Sequence, residues 1–186
     1  MTLPSFKERS LYLTSQVDQD SIVKITEKIL EINAHDEYVE GAFALEGIEL
    51  ESRPPIELYI DSYGGAVYQG LGLIGVMEKS KTPIHTYVTG TAMSCGFMIF
   101  IAGHARYCYP YATLMYHQIY DLLGGRVTDI KQDLVETERL QDLFENIVVA
   151  KTKIKKDKLK KVREQKLDWY ITPEEALRLG VTHYIL

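Results

Sequence analysis

The chain has 186 residues, of which 46% are hydrophobic and 25% are charged, so we expect one soluble globular domain spanning residues 1–186. Its 21 basic and 26 acidic residues give a net charge of −5 with histidine neutral, which disfavours a role in nucleic-acid binding. With only two cysteines, no metal-ligand spacing and no apolar leader or membrane-length apolar run, the sequence predicts a cytoplasmic protein without a disulfide framework, a metal or a membrane partner.

The N-terminal third combines a strand, a helix and an acidic stretch. Alternation of apolar and polar residues predicts a strand over Ser10–Thr14. Asp20 is a candidate helix cap, and we expect that helix to end near His35, with apolar residues spaced along one face at Ile22, Ile25, Ile29 and Ile32. The stretch from His35 to Pro55 is acidic and is predicted to be a long surface excursion.

Strands, glycine turns and helices then alternate. The predicted strands are Ile56–Ile60, Ile84–Thr89, Arg106–Tyr109, Thr113–Tyr116 and Val181–Leu186. The predicted helices are Ala66–Lys79, one beginning with Phe97–Ala102, a long one at about Val127–Lys151, a lysine-rich one, and one that Thr172 and Pro173 start and Gly180 ends. This alternation predicts an α/β fold with βαβ crossovers.

The charge is uneven along the chain. Nine basic residues between Lys151 and Lys166 face only Asp157 and Glu164, so this run carries +7 and the rest of the chain −12. We interpret the run as a solvated helical face, with a polyanion-binding site as the alternative.

Four residues are candidates for a nucleophilic site: Ser94, Cys95, His117 and Asp168. Ser94 lies in a small-residue turn between a strand and a helix, where a sharp turn can present a hydroxyl; the alternative is a helix cap. Cys95 is a rival nucleophile, although a cysteine at an apolar helix start is usually buried. His117 follows a strand and Asp168 precedes a capped helix, so a Ser-His-Asp arrangement is possible. The other histidines, His35, His85, His104 and His183, have no comparable setting.

The pair Gly64–Gly65 separates a strand from a helix. Such a turn exposes backbone N–H groups that can bind an oxyanion, and the alternative is a plain turn. The residues around the pair match neither a dinucleotide fingerprint nor a P-loop.

Together these segments resemble the Clp protease proteolytic subunit (ClpP) family of serine peptidases. The resemblance spans about Lys7 to Leu186 and is carried by these segments: Lys7–Thr14, Leu58–Gly65, Gly90–Gly96, Met115–Gln118 with Leu123–Gly125 and Thr128–Ile130, and Asp168–Ala176 with Gly180. It implies that Ser94 is the nucleophile, His117 the general base and Asp168 the residue that orients His117. It also implies that the backbone N–H groups of Gly65 and Cys95 form the oxyanion hole, and that no metal or organic cofactor takes part.

The resemblance further implies a ClpP/crotonase-like β-α-β spiral with a protruding handle helix at about 127–151. Family members assemble as stacked heptameric rings that enclose the active sites, degrade polypeptides and work with an AAA+ unfoldase. We therefore expect a homo-oligomer of this kind, with docking to the ATPase partner left open.

The chain departs from the family pattern at several places. Only Met1 to Phe6 precede Lys7, which leaves partner docking and gating open. Tyr63 stands where members usually have proline, Ile119 to Leu122 resembles a short insertion, and the acidic stretch 36–54 is longer than usual. Two other functions compete with an active peptidase: a catalytically silent ring subunit, and an acyl-CoA enzyme of the related crotonase fold.

Overall fold

The computed structural model describes residues 8–50, 52–122 and 124–186. Lys7 and the residues before it, and Leu123, belong to segments discussed above and lie outside the described residues. The strands are β1 (Ser10–Leu13), β2 (Ile56–Ser62), β3 (Ile84–Met93), β4 (Ala105–Cys108), β5 (Thr113–Tyr116), β6 (Trp169–Ile171) and β7 (Tyr184–Ile185). The helices are α1 (Gln19–Leu45), α2 (Val67–Lys79), α3 (Cys95–Ile101), α4 (Val127–Lys151), α5 (Lys156–Glu164) and α6 (Pro173–Arg178).

The strands form one mixed sheet whose core is parallel. Its main order is β1-β2-β3-β4-β7, and every neighbouring pair in that row is parallel. The predicted α/β fold with βαβ crossovers is therefore confirmed. At ten residues, β3 extends beyond β4 and pairs there with β5, which in turn pairs antiparallel with β6. The sequence analysis missed β6, because three residues are too few to establish an alternating pattern.

Helix α1 is longer than the sequence predicts. Its four isoleucines are buried as expected. The helix continues to Leu45, so the predicted end near His35 is wrong. The predicted surface excursion is also wrong for its first half, which belongs to α1. The cap is Asp18 rather than Asp20, since the Asp18 carboxylate accepts a 2.9 Å hydrogen bond from Ser21 N. Acidic residues that resemble a loop in sequence are instead paired with arginines, as Glu40 is with Arg53.

Asp36 is the buried centre of these ionic contacts. Asp36 is 5% exposed, and its side chain accepts hydrogen bonds from both terminal nitrogens of Arg9 and from Thr82 Oγ1. Burial alone raises the pKa of Asp36, but the hydrogen bonds from Arg9 and Thr82, with the charge of Arg9, outweigh it and lower the pKa below the ordinary value. The contacts join α1 to the residue that precedes β1 and to the turn before β3.

The lowered pKa of Asp36 predicts a loss of stability in acid. A carboxyl whose folded-state pKa is depressed stabilises the fold above its ordinary pKa of 3.8, and this stabilisation disappears as the pH falls through the folded value. Between about pH 5 and pH 2, we expect the free energy of unfolding to fall more steeply in the wild type than in Asp36→Asn. Urea unfolding across that range measures both slopes. An Asp36→Asn slope equal to that of the wild type would contradict the lowered pKa of Asp36.

Other element ends differ from the predictions by a few residues. Strand β3 runs to Met93 instead of Thr89, and β7 covers only Tyr184–Ile185 instead of the predicted Val181–Leu186. The predicted start of α6 is confirmed, because Thr172 Oγ1 accepts a hydrogen bond from Glu175 N and Pro173 is the first helical residue. The long helix α4 has the predicted bounds.

One face of the sheet carries a row of stacked tyrosines. The ring centroids of successive members lie 5.5, 4.8, 4.6 and 4.9 Å apart along Tyr12, Tyr59, Tyr87, Tyr107 and Tyr184. They occupy matching register positions on neighbouring parallel strands, which explains the stacking.

Among the described residues, no helix has the length and apolarity needed to cross a membrane.

Candidate active site

Ser94 occupies the turn between β3 and α3. Its φ of 52° is in the left-handed region, which a non-glycine residue adopts only at a cost of about 1–3 kcal/mol. The turn is fixed to the neighbouring strand, because Ser94 N donates a 2.9 Å hydrogen bond to Met115 O. This geometry presents the Ser94 hydroxyl at the carboxyl end of the strand, and Ser94 makes no side-chain cap to α3.

The pairing of β5 with β6 aligns His117 with Asp168. Tyr116 pairs with Trp169 in antiparallel register, so the residue that follows β5 and the residue that precedes β6 lie opposite each other. These two residues are His117 and Asp168. The strand that the sequence analysis missed is therefore the element that positions the acidic residue.

The three predicted residues lie together at this point. Ser94 Oγ and His117 Nε2 are 2.7 Å apart, which is hydrogen-bond distance. On the other side of the ring, His117 Nδ1 lies 3.4 Å from Asp168 Oδ1, an ion-pair distance longer than a good hydrogen bond. The Asp168 side chain is 59% exposed and that of His117 24% exposed, so solvent reaches the acidic end of the row.

The glycine turn packs directly against the Ser94 turn. A Cβ on Gly64 would lie 2.9 Å from Cys95 N, and a Cβ on Gly65 would lie 2.3 Å from Val17 O. Val17 N donates to Gly64 O and Ala66 N donates to Val17 O, each at 2.8 Å, which clamps the turn from the far side. Only glycine fits at either position, and the turn brings the backbone at Gly64 close to that at Cys95.

Cys95 lacks the exposure and acidity of a nucleophile. It is 1% exposed, and its sulfur lies 3.6 Å from Ala66 O. Burial raises the pKa of the Cys95 thiol to about 12, so the thiolate is scarce at neutral pH. Cys95 therefore packs beneath the turn, which leaves the half-buried Ser94 as the accessible candidate.

A cleft of about 310 Å³ opens beside Ser94 and His117. Its other lining residues are mainly apolar: Gln16, Gly65, Val67, Met98, Tyr116, Ile119, Tyr120 and Phe144. Ile119 and Tyr120 belong to the segment that resembles an insertion, so this departure contributes directly to the wall of the cleft. Such a wall accommodates an apolar side chain.

Gln141 is a positioning residue that the sequence analysis missed. It is 4% exposed on α4, and its Oε1 accepts a 2.8 Å hydrogen bond from Ile119 N, two residues after His117. Its Nε2 donates to Tyr116 Oη and Glu145 Oε1 at 3.3 and 3.1 Å. The sequence feature that could have revealed Gln141 is a polar residue beside Leu140 and near Phe144, on the apolar stripe of α4.

We expect Gln141→Leu to reduce the peptidase activity that the family resemblance implies by about 10-fold, while the fold is retained. The change leaves the Ile119 N–H without its buried acceptor and releases the segment that follows His117. Peptide-hydrolysis rates and circular dichroism on the same samples measure the two effects. Gln132→Leu, at an exposed position of the same helix, is the matched control; equal rates for the two variants would contradict the positioning role.

The other four histidines make local contacts away from this cleft. His104 Nδ1 accepts a hydrogen bond from Ile84 N, His183 lies 2.6 Å from Arg106, and His85 packs on Tyr107. His35 lies 3.5 Å from Asp36. Within the described ranges, no group of three or more histidine, cysteine or acidic side chains is placed to hold a metal ion.

Comparison with known proteins decides the family. A family model described as Clp protease matches residues 4–186. The chain belongs to the Clp protease family. A relative from Deinococcus radiodurans named "ATP-dependent Clp protease proteolytic subunit" is 28% identical over 184 residues, covering 96% of this chain and 86% of the relative. The resemblance drawn from the motifs is thus confirmed, and with it the ClpP fold and a ClpP-like peptidase activity.

Proposed function

We propose that this member of the Clp protease family is a serine endopeptidase, the proteolytic subunit of an ATP-dependent Clp-type protease. The observation that carries the proposal is the 2.7 Å approach of Ser94 Oγ to His117 Nε2 at a strained strand-to-helix turn. A serine hydroxyl needs an adjacent base to attack a peptide carbonyl, and an imidazole at this distance supplies one.

The proposed reaction is acyl transfer in two steps. His117 takes the Ser94 proton as Oγ attacks the substrate carbonyl, and then gives that proton to the leaving amine. His117 next removes a proton from water as the water attacks the acyl-enzyme, and then gives that proton to the leaving Ser94 Oγ, which releases the carboxyl product and regenerates the serine. Asp168 orients the His117 ring and stabilises its charged form, with the proton held on Nδ1.

Backbone N–H groups at Gly65 and Cys95 are the proposed oxyanion hole. The close packing of the Gly64–Gly65 turn on the Ser94–Cys95 turn supports this role, because the backbone at Gly64 lies next to Ser94 Cβ and Cys95 N. Donors fixed in this way stabilise the developing negative charge without reorganising, and one such donor typically contributes about 10²–10³ in rate. The chemistry calls for no metal or organic cofactor.

We infer a homo-oligomeric chamber built from stacked heptameric rings. Exposed apolar residues on the first half of α4, Val127, Leu134 and Val135, support contacts between handles. An AAA+ unfoldase would then supply unfolded polypeptides, and the cytoplasm is the proposed location. The silent-subunit alternative gains no support from a site in which serine, histidine and aspartate are all present.

Peptide hydrolysis together with sedimentation tests this function. The purified chain should cleave short internally quenched peptides as a ring-sized species and should leave a folded protein intact without an unfoldase. Ser94→Ala should sediment as the wild type does and should cleave neither the peptides nor the folded protein. Cleavage that persists in Ser94→Ala, or a protein that stays at about 21 kDa and is nevertheless fully active, would contradict the proposal.

A further inference from the structure

The basic run identified in the sequence forms an exposed patch on and around α5. We call this the lysine patch: Lys153, Lys155, Lys156, Lys158, Lys160, Lys161 and Lys166, all exposed. Asp157 and Glu164 are the exposed carboxylates in the same segment. On a chain with a net charge of −5, this is a strong local excess of positive charge.

The two basic residues of the run outside the patch, Lys151 and Arg163, form intramolecular ion pairs. Most lysines of the patch do not. Lys151 pairs with Glu78 at 2.8 Å, and Arg163 lies 3.3 Å from Asp142 and 3.4 Å from Glu145. Within the patch, Lys160 lies 3.8 Å from Glu164, a loose and exposed contact. The fold therefore uses Lys151 and Arg163 to hold α4 in place and leaves the lysine patch facing solvent.

The lysine patch leads directly into the proposed active site. Leu167 N donates to Val162 O at 3.0 Å and closes α5, so that Lys166 and Leu167 are the link to Asp168. Lys158 Nζ lies 4.2 Å from the centroid of the Trp169 ring, the residue after Asp168. The patch and the acidic end of the Ser94–His117–Asp168 row are thus joined by a short, packed connection.

Lys166 occupies a position that favours glycine. Its φ of 52° is left-handed at the carboxyl end of α5, where glycine or asparagine would meet less strain. A lysine at this point places a cationic side chain two residues from Asp168. Backbone strain of this kind is often found at functional sites, and here it coincides with the end of the lysine patch nearest the cleft.

We propose that the lysine patch binds acidic segments of polypeptide substrates and so favours peptides that carry Asp or Glu beside the cleavage site. This specificity rests on the proposed peptidase function. The cleft itself has apolar walls, and the Asp168 carboxylate repels acids close to it, so the acidic residues belong outside the cleft. A nine-residue helix spans about 13 Å, which an extended peptide covers in about four residues.

An acidic peptide suits the lysine patch better than a nucleic acid does. The patch ends at a site proposed to cleave peptide bonds, and the remainder of the chain has a charge of −12, which repels a long polyanion. A short acidic segment in an otherwise mixed polypeptide makes the local contact without extending over the acidic surface.

Binding to Ser94→Ala protein tests the specificity without requiring catalysis. Three fluorescent peptides share one apolar core and carry four flanking Glu, Gln or Lys residues, and anisotropy measures their dissociation constants. The test variant is Lys161→Gln with Lys166→Gln. The matched control is Lys24→Gln with Lys79→Gln, two exposed lysines on α1 and α2 that change the net charge equally.

We expect the Glu peptide to bind about 5-fold more tightly than the Gln peptide at low salt, with the difference lost in about 0.5 M salt. The Lys161/Lys166 variant should lose most of that preference, and the Lys24/Lys79 control should keep it. Equal binding of the three peptides, or equal effects of both variants, would overturn the proposal. Displacement of the Glu peptide by a lower concentration of single-stranded oligonucleotide would also overturn it, in favour of a general polyanion site.

Hydrolysis by the protein with Ser94 intact separates this proposal from the proposed function. If the same peptides are cleaved at rates independent of flanking charge, and bind equally, the specificity fails and the peptidase function stands. If the assembled protein binds the Glu peptide selectively but cleaves none of the three, the peptidase function fails and the lysine patch remains a binding surface for acidic peptides.

Discussion

Replacing Ser94 by alanine is expected to lower kcat/KM for a short peptide by about 10⁴-fold or more, with little change in stability. The variant removes the hydroxyl oxygen that lies 2.7 Å from His117 Nε2 and can attack a carbonyl. It also retains a side chain small enough for the turn, whose φ of 52° is already strained. Initial rates with an internally quenched peptide and a thermal-unfolding curve measure both properties.

Ser15→Ala is the matched control for Ser94→Ala. Ser15 is an exposed serine whose hydroxyl contacts only the neighbouring Gln16 carbonyl in the hydrogen-bond network of the described residues. Its alanine variant should keep the wild-type rate within about 2-fold. A Ser94→Ala variant with comparable activity would show that another group attacks the substrate, and the role of Ser94 would have to be abandoned.

Changing Asp168 to asparagine is expected to lower kcat/KM by about 10²–10⁴-fold. An asparagine amide can donate to His117 Nδ1, which then carries no proton, so that Nε2 becomes protonated and is unable to accept the Ser94 proton. The Asp168 side chain is 59% exposed, so water also solvates the imidazolium that Asp168 stabilises. We therefore expect a smaller loss of kcat/KM for Asp168→Asn than for Ser94→Ala. The rate and its dependence on pH measure the change.

Asp157→Asn controls for the removal of one exposed carboxylate from the same region. Asp157 lies in the first turn of α5 and, like Asp168, is exposed. We expect its variant to keep peptide hydrolysis close to the wild-type rate. Similar losses in Asp157→Asn and Asp168→Asn would mean that charge near the site matters and that a specific contact with His117 does not.

The sequence predicts the site better than it predicts the first third of the fold. Ser94 and His117 each follow a strongly patterned strand, and the small residues around Ser94 leave a turn as the natural interpretation. Asp168 is harder to place from local sequence, because its position depends on β6, a three-residue strand that forms only by pairing with β5. The role of Asp168 was predicted from the family resemblance, because the periodicity of the sequence does not indicate it.

The errors in α1 and the omission of Gln141 have one physical cause. Asp36 and Glu40 carry charges that favour a solvated loop in isolation, and their arginine partners, Arg9 and Arg53, lie 27 and 13 residues away in sequence. Gln141 likewise acquires its role from Ile119 N, 22 residues earlier. Contacts of this range decide whether a polar residue is buried, and no local pattern encodes them.

The most direct test of the central claim is to find which residue a fluorophosphonate modifies in the assembled protein. The probe reacts with an activated serine, so labelling of a ring-sized species followed by peptide mass mapping locates the nucleophile. We predict one adduct, on Ser94, that is absent from Ser94→Ala protein of the same assembled mass. An assembled protein that takes up no label, or carries the label on another residue, would contradict the proposed serine peptidase mechanism.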